Sequence, residues 1–319
     1  MNFLNTKSSA GEPSAEDPMW PRASSWLKPA SGNSQKADLG LFGVPAHQTS
    51  ISATNAHLTP AAIRKALKRF STFHWTTGVD VSQLSFLDFG DIAEPDSTEG
   101  ELRTSNLAAK LAGECGLSIG LGGDNSVTFA IARGALNPIA TAGLITFDAH
   151  HDLRDGVSNG SPVRRLIDEA GMDPSRIVQI GIADFSNSPQ YAKRAKDLGI
   201  HVIPRSALRG KDAAKIVAEA VAIAGAGGGR IHVDFDVDVC DRAVVPACPA
   251  AAPGGISADE FRQFCFAVGT HQQVTSVDIT EIDASADSSD GRTVRLGALA
   301  ILELAAGRLS NGSRQPESL

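Results

Sequence analysis

Short apolar runs alternate with helix-like segments along most of this chain, and no other feature constrains its fold as strongly. Strands are predicted at 38–44, 84–89, 117–121, 142–147, 176–182, 201–203, 230–235 and 274–279. Helices are predicted at 60–70, 105–115, 211–224, 257–268 and 293–306. The strands are apolar almost throughout, which is typical of a parallel sheet covered by helices on both faces. The alternation therefore predicts an α/β fold.

The body of the chain is predicted to be one domain. Neither a long linker nor an internal repeat interrupts residues 37–308. Residues 1–36 are rich in Ser, Pro, Ala and Gly, and we expect a flexible N-terminal tail there, with a second tail at 309–319. Trp20 and Trp26 lie in the first tail, and we expect them to dock on the domain itself.

Charge and cysteine content exclude several classes of function. The 319 residues include 29 Lys and Arg against 36 Asp and Glu, and the net charge of −7 argues against binding to nucleic acid. No signal peptide and no apolar run long enough to cross a bilayer is visible, so no membrane partner is expected. The four cysteines form no CxxC pair. We expect reduced thiols in a cytoplasmic protein.

Polar clusters follow three of the predicted strands. They read Gly-Gly-Asp-Asn-Ser at 122–126, Asp-Ala-His-His-Asp at 148–152 and Asp-Phe-Asp-Val-Asp at 234–238. A single cluster of this kind is often a cap or a solvated turn. Because parallel strands present their carboxyl ends at one edge of the sheet, three such clusters can converge, and ligands bind at that edge in open α/β folds.

The spacing within two of these clusters predicts a metal centre. Asp148, His150 and Asp152 are separated by two positions each, as are Asp234 and Asp236, and alternate residues of an extended chain share one side. Four carboxylates facing one buried space repel one another unless cations lie between them. Oxygen-rich ligands with an imidazole suit Mn²⁺. Five ligands can hold two ions that share a water.

With these clusters, the chain resembles the ureohydrolase superfamily of arginases, agmatinases and formiminoglutamases. The resemblance extends from Asp38 to Ala306 and includes Ser-Val-Asp-Ile-Thr-Glu-Ile-Asp at 276–283. It implies a three-layer α/β/α sandwich with a central, mostly parallel sheet, a homotrimer or homohexamer, and two Mn²⁺ per chain. Glu281 matches a glutamate that contacts the cationic end of the substrate. The implied metal ligands are Asp148, His150, Asp152, Asp234 and Asp236, with Asn125 at a sixth ligand position.

Asn125 departs from the family pattern, which has a histidine at this position. A carboxamide oxygen can bind a hard cation, but it is a weaker ligand for a transition metal than imidazole. The departure leaves open whether the first metal position is filled, and with it a metal-poor protein that binds a ligand without catalysis. The neighbouring His151 could compensate, but its alternation points it away from the other ligands. Five retained ligands favour the enzyme.

The segment after the second cluster bears on the substrate. Arginases have a proton-shuttling histidine where Asn159 falls, so its absence argues against arginase. Arg154, and the turn that includes Ser161, resemble formiminoglutamases, and an arginine suits a carboxylate but repels a dicationic substrate such as agmatine. The predicted substrate-binding residues are Arg154, Asn159, Ser161 and Glu281. Arg164 and Arg165 either face solvent or contact the substrate.

The resemblance implies metal-dependent hydrolysis of a linear C–N bond in a small charged amidine or guanidino substrate. The expected reaction converts formiminoglutamate and water into glutamate and formamide, a step of histidine degradation. Metal-activated water attacks the formimino carbon while Glu281 holds the positive nitrogen and Asp152 transfers a proton to the leaving amine. Hydrolysis of a guanidino compound, as in agmatinases and arginases, is the alternative reaction.

Overall fold

A computed structural model of the chain describes residues 17–31 and 36–310. Residues 1–16, 32–35 and 311–319, which belong to the two predicted tails, lie outside the described residues. No helix in the described ranges is long and apolar enough to cross a membrane.

Nine strands of the described chain form a central sheet in which every neighbouring pair is parallel. Their spatial order is β1-β5-β2-β6-β11-β10-β7-β8-β9, and β3 and β4 form a separate antiparallel hairpin. The predicted α/β fold with a mostly parallel sheet is confirmed. The strands are β1 (Lys28–Pro29), β2 (Ala37–Val44), β3 (Phe73–His74), β4 (Val79–Asp80), β5 (Phe86–Asp91), β6 (Cys115–Gly122), β7 (Gly143–Phe147), β8 (Ile177–Ile182), β9 (His201–Pro204), β10 (Ile231–Asp236) and β11 (Val274–Thr280).

Helices cover both faces of this sheet and make a three-layer sandwich. One large core joins the sheet to α2, α8, α9 and α10, and two smaller cores on the other face involve α3, α4, α5 and α6. The helices are α1 (Ala23–Trp26), α2 (Thr59–Ala66), α3 (Thr98–Glu114), α4 (Val127–Ala135), α5 (Pro162–Asp168), α6 (Pro189–Leu198), α7 (Arg205–Leu208), α8 (Ala213–Ala224), α9 (Ala258–Gly269) and α10 (Arg292–Ser310).

Local sequence signals fix where several helices begin. Ser257 and Glu260 form a capping box at α9, so the side chain of each accepts a hydrogen bond from the other's backbone N–H. The Asp212 carboxylate accepts from the backbone N–H of Ala214 and caps α8. Ser188 caps α6, which has a proline in its first turn.

Part of the predicted N-terminal tail packs on the domain. Trp26 is buried against Phe86, with ring centroids 4.6 Å apart, and its indole N–H donates to the carbonyl of Leu84 at 2.7 Å. The two residues of β1 then pair with β5 and extend the sheet. Trp20 stays half exposed. The folded part therefore includes residues before the predicted boundary at 37, because a buried indole adds apolar area to the edge of the core.

The register of the four central strands aligns their carboxyl ends. Phe147 of β7 lies beside Phe235 of β10, Phe235 beside Ile279 of β11, and Ile279 beside Leu121 of β6. The rings of Phe147 and Phe235 stack at 4.9 Å. This apolar row lies directly beneath the polar residues that end or follow the strands. All three predicted clusters, together with Glu281 after β11, consequently meet at one edge of the sheet.

Candidate metal centre

Three side chains at this edge can hold a metal ion together. Asp148, His150 and Asp238 each offer a ligand atom, and the three atoms lie within 4.8 Å of one another. His150 Nδ1 lies 2.7 Å from Asp238 Oδ2 and 3.4 Å from Asp148 Oδ1. The second oxygen of Asp148 is buried and has no hydrogen-bond partner among the described residues. A buried, unpartnered carboxylate oxygen within a cluster of acids fits a divalent cation.

Asp152 and Asp236 lie beside this group, and the pKa values of its carboxyls reflect burial and mutual repulsion. Burial, and then the charges of neighbouring carboxylates, raise the pKa of Asp148 and of Asp236 well above the usual value. Burial raises the pKa of Asp152 to about 7. Burial disfavours the charged form of His150, but Asp238 and other acids outweigh it and raise the pKa to about 9. A cation would let these acids ionise together.

The structure revises the expected aspartate pair at β10. Asp236 is the last residue of the strand, and residues 237–239 then form a 3₁₀ turn in which the Asp238 N–H donates to Asp236 Oδ1 at 2.8 Å. This turn directs Asp238 back toward His150. Asp234 lies one row lower, level with Asp278 and Thr146, and is not in the cavity lining. The sequence motif contained Asp238 at the same spacing, and spacing alone does not show which aspartate lies beside His150.

Asn125 lies beside the acids but presents its amide nitrogen to them. Its Nδ2 donates to Asp152 Oδ2 at 2.6 Å, while its Oδ1 accepts from the hydroxyls of Thr128 and Thr280 at 3.0 and 2.9 Å. The backbone N–H of Asn125 donates to Glu281 Oε1 at 2.7 Å. In this geometry Asn125 orients Asp152 and Glu281, and its carboxamide oxygen faces the two hydroxyls instead of the acids.

A cavity of about 470 Å³ opens above the acids and contains most of the other predicted site residues. His150, Asp152, Asp236 and Asp238 are in its lining, as is Glu281. Glu281 is 3% exposed, and burial raises its pKa to about 8. A second cavity, of about 300 Å³, lies between α2 and the start of α10 and contains none of these acids. The chemistry therefore belongs to the larger cavity.

The turn after the second cluster contributes less to the cavity than the sequence suggested. Asn159 lines it and donates from Nδ2 to Glu281 Oε1 at 2.9 Å. Ser161 does not line it. The Ser161 hydroxyl is fully buried, donates to the Ser158 carbonyl at 2.8 Å and accepts from the Ser158 N–H at 2.9 Å. The hydroxyl thus closes the turn with Ser158, and its contact with substrate stays a prediction.

Arg154 is the one arginine among the cavity-lining residues. Its stem lies against Gly160, where a Cβ would come within 2.7 Å of Arg154 Cδ, so the glycine makes room for the side chain. The guanidinium has no hydrogen bond or ion pair with a residue in the described ranges. A free guanidinium at a cavity wall is suited to a carboxylate ligand.

The two other arginines nearby are used within the protein. Arg164 donates to the carbonyls of Arg154 and Gly156 at 2.8 and 2.6 Å and so holds the loop that precedes α5. Arg165 is buried over the ring of Phe129 and pairs with Glu101 at 2.7 Å. Neither Arg164 nor Arg165 lines the cavity. Arg165 is also buried and does not face solvent.

Similarity to known proteins extends over nearly the whole described chain. The family model of the arginase family matches residues 37–307. The formimidoylglutamase of Halalkalibacterium halodurans is 36% identical over 277 residues, which are 84% of this chain and 86% of the relative. The crystal structure of formimidoylglutamase from Bacillus subtilis superposes with a TM-score of 0.86 at 29% identity and covers 96% of both chains. A structure of Trypanosoma cruzi formiminoglutamase with two Mn²⁺ ions superposes with a TM-score of 0.81 at 26% identity. The match covers 91% of this chain and 98% of that one.

Proposed function

This chain belongs to the arginase family, and from that premise we propose that it is a Mn²⁺-dependent hydrolase that converts formiminoglutamate into glutamate and formamide. A free Arg154 guanidinium and the Glu281 carboxylate in one cavity support a substrate that has both a cationic and an anionic part. The similarity to formimidoylglutamases at 36% and 31% identity favours formiminoglutamate over a guanidino acid with the same charges.

Five side chains would hold the metal. They differ from the set expected from the sequence in two ways. Asp238 replaces Asp234, because Asp238 is the aspartate that groups with Asp148 and His150. Asn125 is left out, because its Oδ1 accepts from two threonine hydroxyls and its Nδ2 donates to Asp152. When bound, divalent manganese lowers the pKa of water to near neutrality and stabilises negative charge that develops on the substrate. The proposed ligands are Asp148, His150, Asp152, Asp236 and Asp238.

The charges of the cavity match a substrate with one cationic and one anionic part. Formiminoglutamate carries a formamidinium group and two carboxylates. Glu281, held by Asn125 and Asn159, would bind the positive nitrogen, and Arg154 would bind a carboxylate through a charge-assisted pair. Agmatine has cationic ends only, so its second cation would meet Arg154 and be repelled.

Hydrolysis moves both protons of the attacking water. The water oxygen forms a bond to the formimino carbon as its first proton passes through a carrier to the glutamate nitrogen. The bond from that carbon to the glutamate nitrogen then breaks, and the second proton leaves the oxygen for the amine as the carbonyl of formamide forms, so that a formamidinium cation and water give formamide and the ammonium form of glutamate. Asp152 is the proposed carrier of the first proton. It lies in the cavity lining and is oriented by Asn125 Nδ2 at 2.6 Å, so its carboxylate is fixed before the substrate arrives.

A product panel tests the proposal. The Mn²⁺-loaded protein is offered formiminoglutamate, arginine, agmatine, guanidinobutyrate and guanidinopropionate, and both glutamate and urea are measured. We expect glutamate from formiminoglutamate and no urea from the guanidino compounds. Urea from any of them without glutamate would overturn the substrate assignment in favour of a guanidino hydrolase. No product from any substrate, with no Mn²⁺ retained, would indicate the non-catalytic ligand-binding alternative.

An Arg154→Gln variant tests whether the Arg154 guanidinium binds a carboxylate of the substrate. Loss of a charge-assisted pair is worth about 1.5–3 kcal/mol, so we expect KM for formiminoglutamate to rise about 10- to 100-fold while kcat changes little. Arg209→Gln is the matched control, because Arg209 is exposed and is not in the cavity lining. Equal KM values for the Arg154 variant and the unmodified protein would contradict the proposed carboxylate contact.

We also propose a homotrimer or homohexamer in the cytoplasm. The assembly follows from the family resemblance, and light scattering coupled to size-exclusion chromatography measures it directly. The compartment is supported by the cysteines, since all four are buried free thiols. Fractionation of the producing cells tests that part of the proposal.

A further inference from the structure

The loop that contains Asp148, His150 and Asp152, residues 148–152, leaves the sheet at the end of β7, and we refer to it as the ligand loop. Its first two residues still pair with the extension of β8, because the Asp148 N–H donates to the Ile180 carbonyl and the Ala183 N–H donates to the Ala149 carbonyl, both at 3.0 Å. At its other end Asp152 has a φ of +53°, a left-handed conformation that is unfavourable for a non-glycine residue. The loop therefore needs support to hold this shape.

Asn187, five residues beyond the end of β8, supplies such support through its side chain. Its Oδ1 accepts from the backbone N–H of His151 at 3.0 Å, and its Nδ2 donates to the carbonyl of Ala149 at 2.9 Å. These two peptide groups flank His150. A parallel neighbouring strand bonds the groups on either side of a residue in the same way. The carboxamide of Asn187 thus continues the pairing of β7 and β8 beyond the point where the strands end.

Gln179 of β8 holds the next peptide of the ligand loop. Its Nε2 donates to the His151 carbonyl at 2.9 Å, and its Oε1 lies 2.7 Å from His151 Nδ1. His151 therefore points toward Gln179, away from the metal ligands, as its position in the alternation indicated. Gln179 is fully buried, whereas Asn187 is half-buried in the cavity wall and can be changed with less effect on the core.

We propose that Asn187 is a positioning residue for the metal centre, whose carboxamide fixes the peptide groups on both sides of His150 before the metal binds. The inference rests on the metal centre of the proposed function. Each polar end of the Asn187 side chain is bonded to a backbone group of the ligand loop, so the proposed role is exerted through that loop. Outer hydrogen-bond partners of this kind change metal affinity by about 10- to 100-fold when removed.

The test is a Mn²⁺ titration without substrate, followed by electron paramagnetic resonance of the free ion. Asn187→Leu keeps the size of the side chain and removes both hydrogen bonds, and we expect its dissociation constant for Mn²⁺ to rise about 10- to 100-fold. At saturating Mn²⁺ we expect kcat to return to within a few-fold of the unmodified value, because the bound ion orders the loop. Asn187→Asp keeps the acceptor for the His151 N–H and loses the donor to Ala149, so we expect a smaller rise.

Ser257→Ala is the control for general loss of stability. It removes the cap of α9, which costs about 1 kcal/mol, at a residue that is not in the cavity lining. We expect a lower melting temperature with an unchanged dissociation constant for Mn²⁺. Thermal unfolding of all three variants establishes that each is folded at the temperature of the titration.

The outcomes separate this inference from the proposed function. Unchanged Mn²⁺ affinity in folded Asn187→Leu would overturn the positioning role and leave the hydrolase assignment intact. Weaker affinity in Asn187→Leu alone supports the role, even if the panel assay shows that formiminoglutamate is not the substrate. Failure of the unmodified protein to bind Mn²⁺ would overturn both proposals. Equal losses of Mn²⁺ affinity in Asn187→Leu and Ser257→Ala would overturn the positioning role, because the loss would then follow from lower stability alone.

Discussion

Asp234 and Asp238 lie two residues on either side of Asp236, and both are buried, but only Asp238 lines the cavity. Asp238 lines the cavity and contacts His150 at 2.7 Å. Asp234 is fully buried below the cavity, beside Asp278 in the register of the sheet. Two nearly isosteric substitutions can therefore distinguish a metal ligand from a buried neighbour of the ligands.

We expect Asp238→Asn to lose bound Mn²⁺ and at least about 100-fold in kcat, because a neutral amide is a poorer ligand than a carboxylate. Asp234→Asn should keep the Mn²⁺ content of the unmodified protein. Metal analysis of each variant after gel filtration in Mn²⁺-free buffer measures the difference. The assignment would be reversed by a metal-free Asp234→Asn protein together with a fully loaded Asp238→Asn protein.

At the scale of residues, the sequence predicted the acids of the ligand loop well and the residues around them less well. The spacing of two between Asp148, His150 and Asp152 indicated a common side, and all three lie at the predicted edge. Asp238 was not among the ligands predicted from the sequence, because Asp234, Asp236 and Asp238 are equally spaced and spacing alone does not show which of them line the cavity. Asn187 was missed because its contacts join segments 36 residues apart or more, and no local pattern marks such a residue.

At the scale of elements, Glu303 joins α10 to α9 and to the hairpin of β3 and β4. Its Oε1 accepts from Arg262 Nε at 2.8 Å, and its Oε2 lies 3.3 Å from His74 Nε2. Burial would raise the pKa of Glu303, but the hydrogen bonds from His74 and Arg262 outweigh it and hold the pKa below its usual value. The carboxylate is 5% exposed, so these contacts are poorly screened by solvent.

We expect Glu303→Gln to lower the free energy of unfolding at pH 7 by about 1–3 kcal/mol. A depressed pKa in the folded state gives stability that is present above the unfolded-state pKa and is lost as the pH falls through the folded-state pKa. The difference between the two proteins should therefore shrink below about pH 4.5. Urea unfolding at several pH values measures it, with Glu219→Gln on the exposed face of α8 as the control. A pH-independent difference would contradict the ionic role of Glu303.

The strands were predicted closely, and the helices less so: α6 was not predicted, and α3 begins at Thr98, seven residues before its predicted start. The seven strands predicted between 84 and 279 all appear, shifted by at most two residues at either end. Helix α4 was not predicted, because every residue in it except Arg133 is buried, which removes the polar face that marks an amphipathic helix. Strand β1 has only two residues, too few to show the alternation of apolar and polar side chains that marks a strand. It follows the docked Trp26 and pairs with β5.

At the scale of the whole molecule, the topology decides which clusters meet. β11 lies between β6 and β10, although it follows β10 in the sequence and lies more than 150 residues beyond β6. This crossover brings Glu281 between Asn125 and the acids that follow β10. The alternation of strands and helices predicted a parallel sheet but not this strand order, because many orders are compatible with the same alternation. The family resemblance supplied the missing information about the fold.

The central claim is that metal held at the carboxyl edge of the sheet is required for the release of glutamate from formiminoglutamate. The most direct measurement starts from protein stripped with a chelator and follows glutamate release as Mn²⁺ is added back in steps. We predict no release from the stripped protein, a rate that rises with bound Mn²⁺ until the site is full, and loss of the activity when the chelator is returned. Full activity of the stripped protein, or no glutamate at any Mn²⁺ content, would contradict the account.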